Sequence, residues 1–276
     1  VSDSRYTDLD RPPLSQAALT RALIRPGGLW TGLTVVDRTA STNSDLMQSA
    51  RGGSPEGMVL VAEMQFAGKG RLGRTWTAPP RSGLAFSVLL RPRVPAQRQG
   101  WLPLLFGVAA ASAVRRLAEL DVRLKWPNDL LVGDRKLAGI LAERSDDAVI
   151  VGTGLNVSMR ESELPVPTAT SLGIELAGRK LDRERTSGLD REPLLREILR
   201  EVEAHYREWV AAEGDADRSG LRAAYQAVSA TIGREIRVEL PGERMLTGVA
   251  TGVDRNGHLE VDDKHTLSAG DVVHVR

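Results

Sequence analysis

Strand-length apolar runs alternate with stretches of helical spacing through the first 228 residues, and after about residue 230 only strand-length runs remain. Residues 33–37 and 58–64 read as strands, with a short helix between them that Ser41 or Thr42 caps. A strand at 83–91 follows, its Leu84, Phe86, Val88 and Leu90 on one alternating face, and then an Ala-rich helix at about 101–120. That helix runs into a strand ending Arg123-Leu124-Lys125-Trp126. Asp129–Val132 and Lys136–Glu143 flank Gly133-Asp134, a hairpin signal. Ala148–Gly154 reads as a central strand feeding a glycine turn. Helices fill roughly 190–212 and 218–228, the first carrying Leu194, Leu195, Ile198, Leu199, Val202, Tyr206 and Trp209 along one side as a core-facing stripe.

The final segment alternates short strands, Glu235–Leu240, Met245–Val253, His258–Val261 and Asp271–Val275, with Pro241-Gly242 and Asn256-Gly257 marking turns. The expected architecture is therefore α+β: a larger domain over 1–228 and a small β-barrel over 229–276 without a long linker. A charge-rich stretch around Gly178–Arg191 reads as solvated, and no internal repeat is visible.

Composition narrows the function classes. Thirty-seven Lys and Arg against 36 Asp and Glu leave a formal charge of +1, so no global field favours nucleic acid or an anionic membrane, and anion recognition has to be local. The chain has no cysteine, which excludes disulfides, thiol nucleophiles and thiolate metal sites. The first 30 residues do not resemble a secretory signal, and the longest apolar run looks too broken to span a membrane, so a cytoplasmic protein is the expectation.

The candidate chemistry starts at Gly68-Lys69-Gly70-Arg71-Leu72-Gly73-Arg74-Thr75-Trp76, three glycines interleaved with three cations and closed by an aromatic. Glycine admits close backbone approach, and Lys and Arg supply charge-assisted hydrogen bonds of about 1.5–3 kcal/mol each to an anion. The loop lacks the Gly-x-x-x-x-Gly-Lys-Ser/Thr pattern, and Gly68, Gly70 and Gly73 carry cations that the dinucleotide fingerprint does not require. Taken alone it reads equally as a solvated basic turn. Three other segments also offer polar groups or bare backbone at strand ends: Ser41-Thr42-Asn43, Lys125-Trp126-Pro127-Asn128-Asp129, and Gly152-Thr153-Gly154-Leu155-Asn156, with Gln65 just ahead of the basic loop.

In this order, with Lys136-Leu137-Ala138-Gly139-Ile140-Leu141 following Lys-Trp-Pro-Asn-Asp, the motifs resemble those of the biotin protein ligases. The resemblance runs from about Thr34 to Asn156 and continues more weakly to Gly270-Asp271-Val272-Val273. It implies a mixed-sheet catalytic domain of the class II aminoacyl-tRNA-synthetase/biotin-ligase kind followed by an SH3-like β-barrel. It also implies that biotin and MgATP give biotinyl-adenylate and pyrophosphate, after which a lysine of a carboxylase's biotin carboxyl carrier domain attacks the mixed anhydride. By the same resemblance, Ser41, Thr42, Asn43, Gln65, Lys69, Gly70, Arg71, Lys125, Gly139 and Gly154 surround biotin, and Lys69, Arg71, Arg74, Trp76, Lys125, Asn128 and Asn156 surround ATP and the adenylate.

The residue types suit those roles. Hydroxyls and amides at Ser41, Thr42, Asn43 and Gln65 match a ureido ring, although Ser41-Thr42 also reads as a helix cap and one loop can do both. Fixed cations stabilise the charge that gathers on an α-phosphate as pyrophosphate leaves, a role for Arg71 and Lys125 as catalytic groups with Lys69 and Arg74 in support. Trp76 either packs on adenine or anchors the loop's far end in the core. Lys69 stands where many relatives have arginine, which keeps the charge and loses the bidentate fork. The second half-reaction requires no protein nucleophile, and the four histidines read as incidental. No magnesium ligand set stands out; Asp129 is the nearest motif carboxylate and reads equally as a turn residue. Like charges and glycines predict a loop at 66–76 that is disordered or mobile without ligand and closes over the adenylate when anions arrive.

Three rival readings remain. A DNA-binding repressor arm is not expected from the roughly 33 residues before the first strand. A non-enzymatic RNA- or nucleotide-binding protein is disfavoured by the near-zero net charge and only 4% aromatics. A lipoate ligase is disfavoured because its Arg-Arg-x-x-Gly-Gly-Gly signature is absent. The expected state is a monomer or weak homodimer that binds neither DNA nor membrane.

Overall fold

In the computed structural model, residues 11–177, 190–240, 244–268 and 270–275 are described. The turn expected at Pro241-Gly242 and most of the charge-rich stretch around Gly178–Arg191 lie outside them. In chain order the larger part contains α1 (Gln16–Leu23), β1 (Gly32–Val36), α2 (Thr42–Arg51), β2 (Met58–Ala62), β3 (Gly68–Lys69), β4 (Thr75–Trp76), β5 (Gly83–Leu90) and α3 (Trp101–Ala118). It continues with β6 (Val122–Lys125), β7 (Asp129–Val132), β8 (Arg135–Ser145), β9 (Ala148–Asn156), α4 (Leu172–Ala177), α5 (Arg191–Ala211) and α6 (Leu221–Val228). The last part contains β10 (Glu235–Leu240), β11 (Arg244–Val253), β12 (Leu259–Val261), β13 (His265–Leu267) and β14 (Asp271–His274).

A seven-stranded mixed sheet in the order β1-β2-β5-β9-β8-β7-β6 organises the larger part. Only β1 and β2 run parallel, joined by the α2 crossover that parallel neighbours need. The other neighbours are antiparallel; β6–β7 and β7–β8 are joined by short connections, the latter through Gly133 at φ 58°. Helices α3, α5 and α6 cover one face. The apolar stripe of α5 is buried as its spacing requires, and Trp101 of α3 meets Tyr225 of α6 edge-on with ring centroids 6.1 Å apart. The second, small sheet is antiparallel, in the order β13-β12-β11-β10-β14.

Four expectations change. Leu84, Phe86, Val88 and Leu90 are buried as expected, but Ser87 and Leu89 on the opposite face are buried too, because α2 lies over that end of β5. Ser41 occupies the N-cap position of α2, yet its side chain makes no cap hydrogen bond. The glycines of Gly152-Thr153-Gly154 form no turn; they lie inside β9, which continues to Asn156. The stretch Ala96–Ala118 is long and apolar enough to cross a membrane by length and composition, but most of it is buried as the central helix of this fold. The short elements α1, α4 and β13 were not anticipated, since six- to eight-residue helices and three-residue strands hold too few periods to stand out.

A buried ion pair fixes the base of the sheet. Arg191 Nη1 at the start of α5 lies 2.5 Å from Glu63 Oε2, just beyond β2, and the other Glu63 oxygen accepts the Leu14 N–H at 2.6 Å. Arg191 Nη2 also donates to the Pro12 carbonyl at 2.6 Å, so one guanidinium ties the N-terminal segment and α5 to the strand that leads into Gln65. Truncating one partner of such a pair strands the other charge in the interior. Arg191→Met is expected to cost about 3–5 kcal/mol, and the double change Glu63→Gln, Arg191→Met clearly less. Urea unfolding of both variants checks this, and a single-variant loss below about 1 kcal/mol would refute it.

Candidate active site

The floor of the principal cleft, about 720 Å³ in volume, is a stretch of sheet without side chains. β8 and β9 pair so that Gly139 faces Gly154. The Trp76 indole lies on both: a Cβ at Gly154 would overlap the ring, and one at Gly139 would sit 3.4 Å from its Cζ3. One step along β9, a Cβ at Gly152 would overlap Asn43 Oδ1. Trp76 is held in turn by the small β3–β4 hairpin, where it pairs with Gly68. The basic loop is thus a folded hairpin whose tip carries Leu72 at φ 55°, 71% exposed.

One end of the cleft is a connected polar network. The Thr42 N–H and hydroxyl lie 2.8 and 3.0 Å from Gln65 Oε1, and Thr42 Oγ1 is 2.6 Å from Ser87 Oγ. Ser87 donates to Asn43 Oδ1 at 2.6 Å, and Asn43 Nδ2 donates to Glu143 Oε2 at 2.8 Å and to the Leu141 carbonyl at 3.2 Å. Lys69 Nζ stands 3.9 Å from Glu143 Oε1. Both ends of the Asn43 carboxamide are therefore engaged within the protein, and Asn43 braces this end. Ser87 and Glu143 escaped the sequence reading, although a serine inside an otherwise apolar strand was a signal available for one of them.

Cations gather at the other end. Lys125 closes β6 opposite Asp129. Arg71 Nη1 reaches Asn128 Oδ1 and the Gly270 carbonyl, each at 3.3 Å, while Asn128 Nδ2 donates to the Ile140 carbonyl at 3.0 Å. Asp129 Oδ1 lies 2.6 Å from Lys136 Nζ, so the motif carboxylate is already matched to a cation. Asn156 is buried and its Nδ2 donates to the Thr170 carbonyl at 2.8 Å, so on the amide-nitrogen side it supports the 168–170 wall. Among the described residues no group of three or more His, Asp or Glu could hold a metal ion.

All the residues selected from sequence line this one cleft: Ser41, Thr42, Asn43, Gln65, Lys69, Gly70, Arg71, Arg74, Trp76, Lys125, Asn128, Gly139, Gly154 and Asn156. Residues 272–275, at the last strand and just beyond it, add to the wall, with His274 among them.

Comparison with known proteins agrees with this arrangement. A family model described as the biotin/lipoate A/B protein ligase family matches residues 35–158, and one for the biotin protein ligase C-terminal domain matches 231–275. The biotin--[acetyl-CoA-carboxylase] ligase of Mycobacterium tuberculosis is 42% identical over 98% of this chain and 100% of its own length. This chain belongs to the biotin protein ligase family. The bifunctional ligase/repressor BirA of Escherichia coli is 33% identical over 84% of this chain and 69% of that protein. A solved structure of the Aquifex aeolicus biotin protein ligase in complex with biotin and ATP aligns with a TM-score of 0.69 at 27% identity, covering 90% of this chain and 100% of that one. The enzyme is thus a ligase on the mixed-sheet fold of this family, with the small antiparallel sheet expected at its C-terminal end.

Burial, together with the neighbouring Lys125 and Arg234 charges and against the opposing Asp134 carboxylate, pushes the His274 imidazole down from 6.5 to about 4. The unfolded chain therefore takes up this proton first. The contribution of His274 to stability is complete above about pH 6.5 and is lost as the pH falls towards about 4. Thermal unfolding across this window is expected to show a shallower acid loss for His274→Gln than for wild type, and parallel losses would exclude the assignment.

Proposed function

We propose that this ligase condenses biotin with ATP to biotinyl-5'-adenylate and then passes the biotinyl group to a lysine of the biotin carboxyl carrier domain of an acyl-CoA carboxylase. The observation that carries the reading is the convergence, across one glycine-paved floor, of a polar end suited to a ureido ring and a cationic end suited to a carboxylate meeting a phosphate. The biotin--[acetyl-CoA-carboxylase] ligase of M. tuberculosis and the biotin and ATP bound in the A. aeolicus complex support these substrates.

In the first step a biotin carboxylate oxygen attacks the α-phosphorus and the bond to pyrophosphate breaks. Arg71 and Lys125 face the charge that develops there, with Lys69 and Arg74 as supporting cations, and such preorganised donors act most strongly where water is excluded. Gln65, Ser41, Thr42, Asn43, Gly70, Gly139 and Gly154 hold the biotin side. Trp76, Asn128 and Asn156 hold or brace the adenylate side. Magnesium enters as part of the substrate MgATP, on the phosphate oxygens that suit it; the protein offers it no carboxylate cage among the described residues. In the second step the incoming lysine amine bonds to the carbonyl carbon, AMP departs with the shared electron pair, and the amine loses a proton. Residues 1–228 would form the catalytic domain and 229–276 the C-terminal domain that completes the cleft wall.

Biotin-dependent exchange of labelled pyrophosphate into ATP tests the first step. Lys125→Ala is expected to lower the exchange rate by about 10²–10³ with the fold retained. Exchange supported by lipoate in place of biotin, or undiminished in Lys125→Ala, would reject the reading. Amide hydrogen exchange over residues 66–76 is expected to slow when biotin and ATP are added, as the hairpin closes on the anionic adenylate. Unchanged exchange there would reject closure.

A further inference from the structure

Thr231 reaches the peptide next to Lys125, and His274 reaches Thr231, although neither was among the candidate residues read from the sequence. The peptide joining Lys125 to Trp126 is held at both of its polar ends. Its carbonyl accepts the Asn128 N–H at 3.2 Å, and its N–H donates to Thr231 Oγ1 at 3.0 Å. Thr231 is completely buried and Trp126 is 2% exposed, so water cannot replace that acceptor. Neighbouring bonds run the same way: Ala230 N–H donates to the Leu124 carbonyl at 2.7 Å, and Trp126 Nε1 donates to the Gly257 carbonyl at 3.1 Å.

The Thr231 hydroxyl itself lies 3.2 Å from His274 Nε2 on β14. A hydroxyl has one proton and two lone pairs. With the Trp126 N–H filling a lone pair, the Thr231 proton is free to go to an unprotonated Nε2, which orients the hydroxyl. A protonated ring would lose that acceptor and place another positive charge beside Lys125 and Arg234, with Asp134 the opposing carboxylate. Burial and these cations keep the ring neutral near pH 7.

We infer that Thr231, oriented by His274, is a positioning residue for Lys125, so that the C-terminal part of the chain serves the adenylation step by locking the peptide that follows the lysine. The inference rests on the role proposed for Lys125. Its physical basis is that a misplacement of about 1 Å in a catalytic group can cost about 10²-fold in rate. Without the Thr231 acceptor the peptide keeps its carbonyl bond to Asn128 but can tilt about it, and the Lys125 side chain moves with that tilt.

The test compares Thr231→Val, Thr231→Ser and His274→Leu with wild type in two assays. The first is pyrophosphate exchange, read separately as kcat and as KM for biotin. The second is hydrogen exchange of the Trp126 amide by NMR, with the urea midpoint as a check on folding. Thr231→Val is expected to lower kcat about tenfold or more, to change the KM for biotin little, and to expose the Trp126 amide; Thr231→Ser recovers most of both. His274→Leu, which keeps the threonine, shifts both in the same direction by a smaller factor and remains informative if Thr231→Val does not fold. Full Trp126 protection in Thr231→Val, or lost protection with wild-type kcat, would overturn the inference. An active Lys125→Ala would instead overturn the role of the lysine, and the Trp126 amide would still decide whether Thr231 holds the peptide.

Discussion

Everything at the active site depends on a strip of sheet where two neighbouring strands present backbone and nothing else. Because Gly139 and Gly154 face one another, an indole can lie flat on the sheet, and because Gly152 follows the same face, a buried carboxamide can reach the strand beside it. A Cβ at Gly154 or Gly152 would overlap Trp76 or Asn43, and one at Gly139 would touch the same indole. The cost of such a floor is lost packing and backbone entropy. The fold offsets it by setting β9 in the interior of the sheet, mostly buried, with β5 paired on one side and β8 on the other.

Two kinds of polar group line that floor. The polar end is connected among its own members, from Gln65 through Thr42, Ser87 and Asn43 to Glu143, which fixes the orientation of these side chains. The cationic end is fixed differently. Its charges come from a hairpin, a strand end and a neighbouring strand, and they are held by neutral acceptors such as Asn128 and the Gly270 carbonyl or by a matched carboxylate such as Asp129. Preorganisation of this kind spares the reorganisation that solvent would otherwise undergo when charge develops.

The small sheet is part of this arrangement. The Gly270 carbonyl receives Arg71, the Gly257 carbonyl receives the Trp126 indole, and Thr231 receives the Trp126 amide, so bonds from three separate points of the C-terminal segment converge on the residues around Lys125. At the opposite edge, the Glu63–Arg191 pair ties the N-terminal segment to the strand that delivers Gln65. Segments distant in sequence therefore meet around Lys125 and again at the strand that leads into Gln65.

Much of this was legible in the sequence. The strands at 58–64 and 83–91, the long helices and the Gly133-Asp134 hairpin follow from periodicity and turn chemistry, because those signals are local, whereas the residues that line the cleft were named through the resemblance of the ordered motifs to the biotin protein ligases. What remained hidden was non-local. Nothing near Ser87, Glu143, Thr231 or His274 in the chain says which partner each will meet, since their contacts, such as Ser87 with Asn43 or Thr231 with Trp126, span tens to about a hundred residues. The reading of Gly152-Thr153-Gly154 as a turn failed for the same reason: glycine signals backbone freedom locally, whereas here it serves the close approach of Asn43 and Trp76 from elsewhere in the chain. The sequence by itself determined the elements and the inventory of polar and cationic groups. Only the tertiary structure decided which groups are spent on one another and which are left to face the cleft, because that depends on the packing of distant segments.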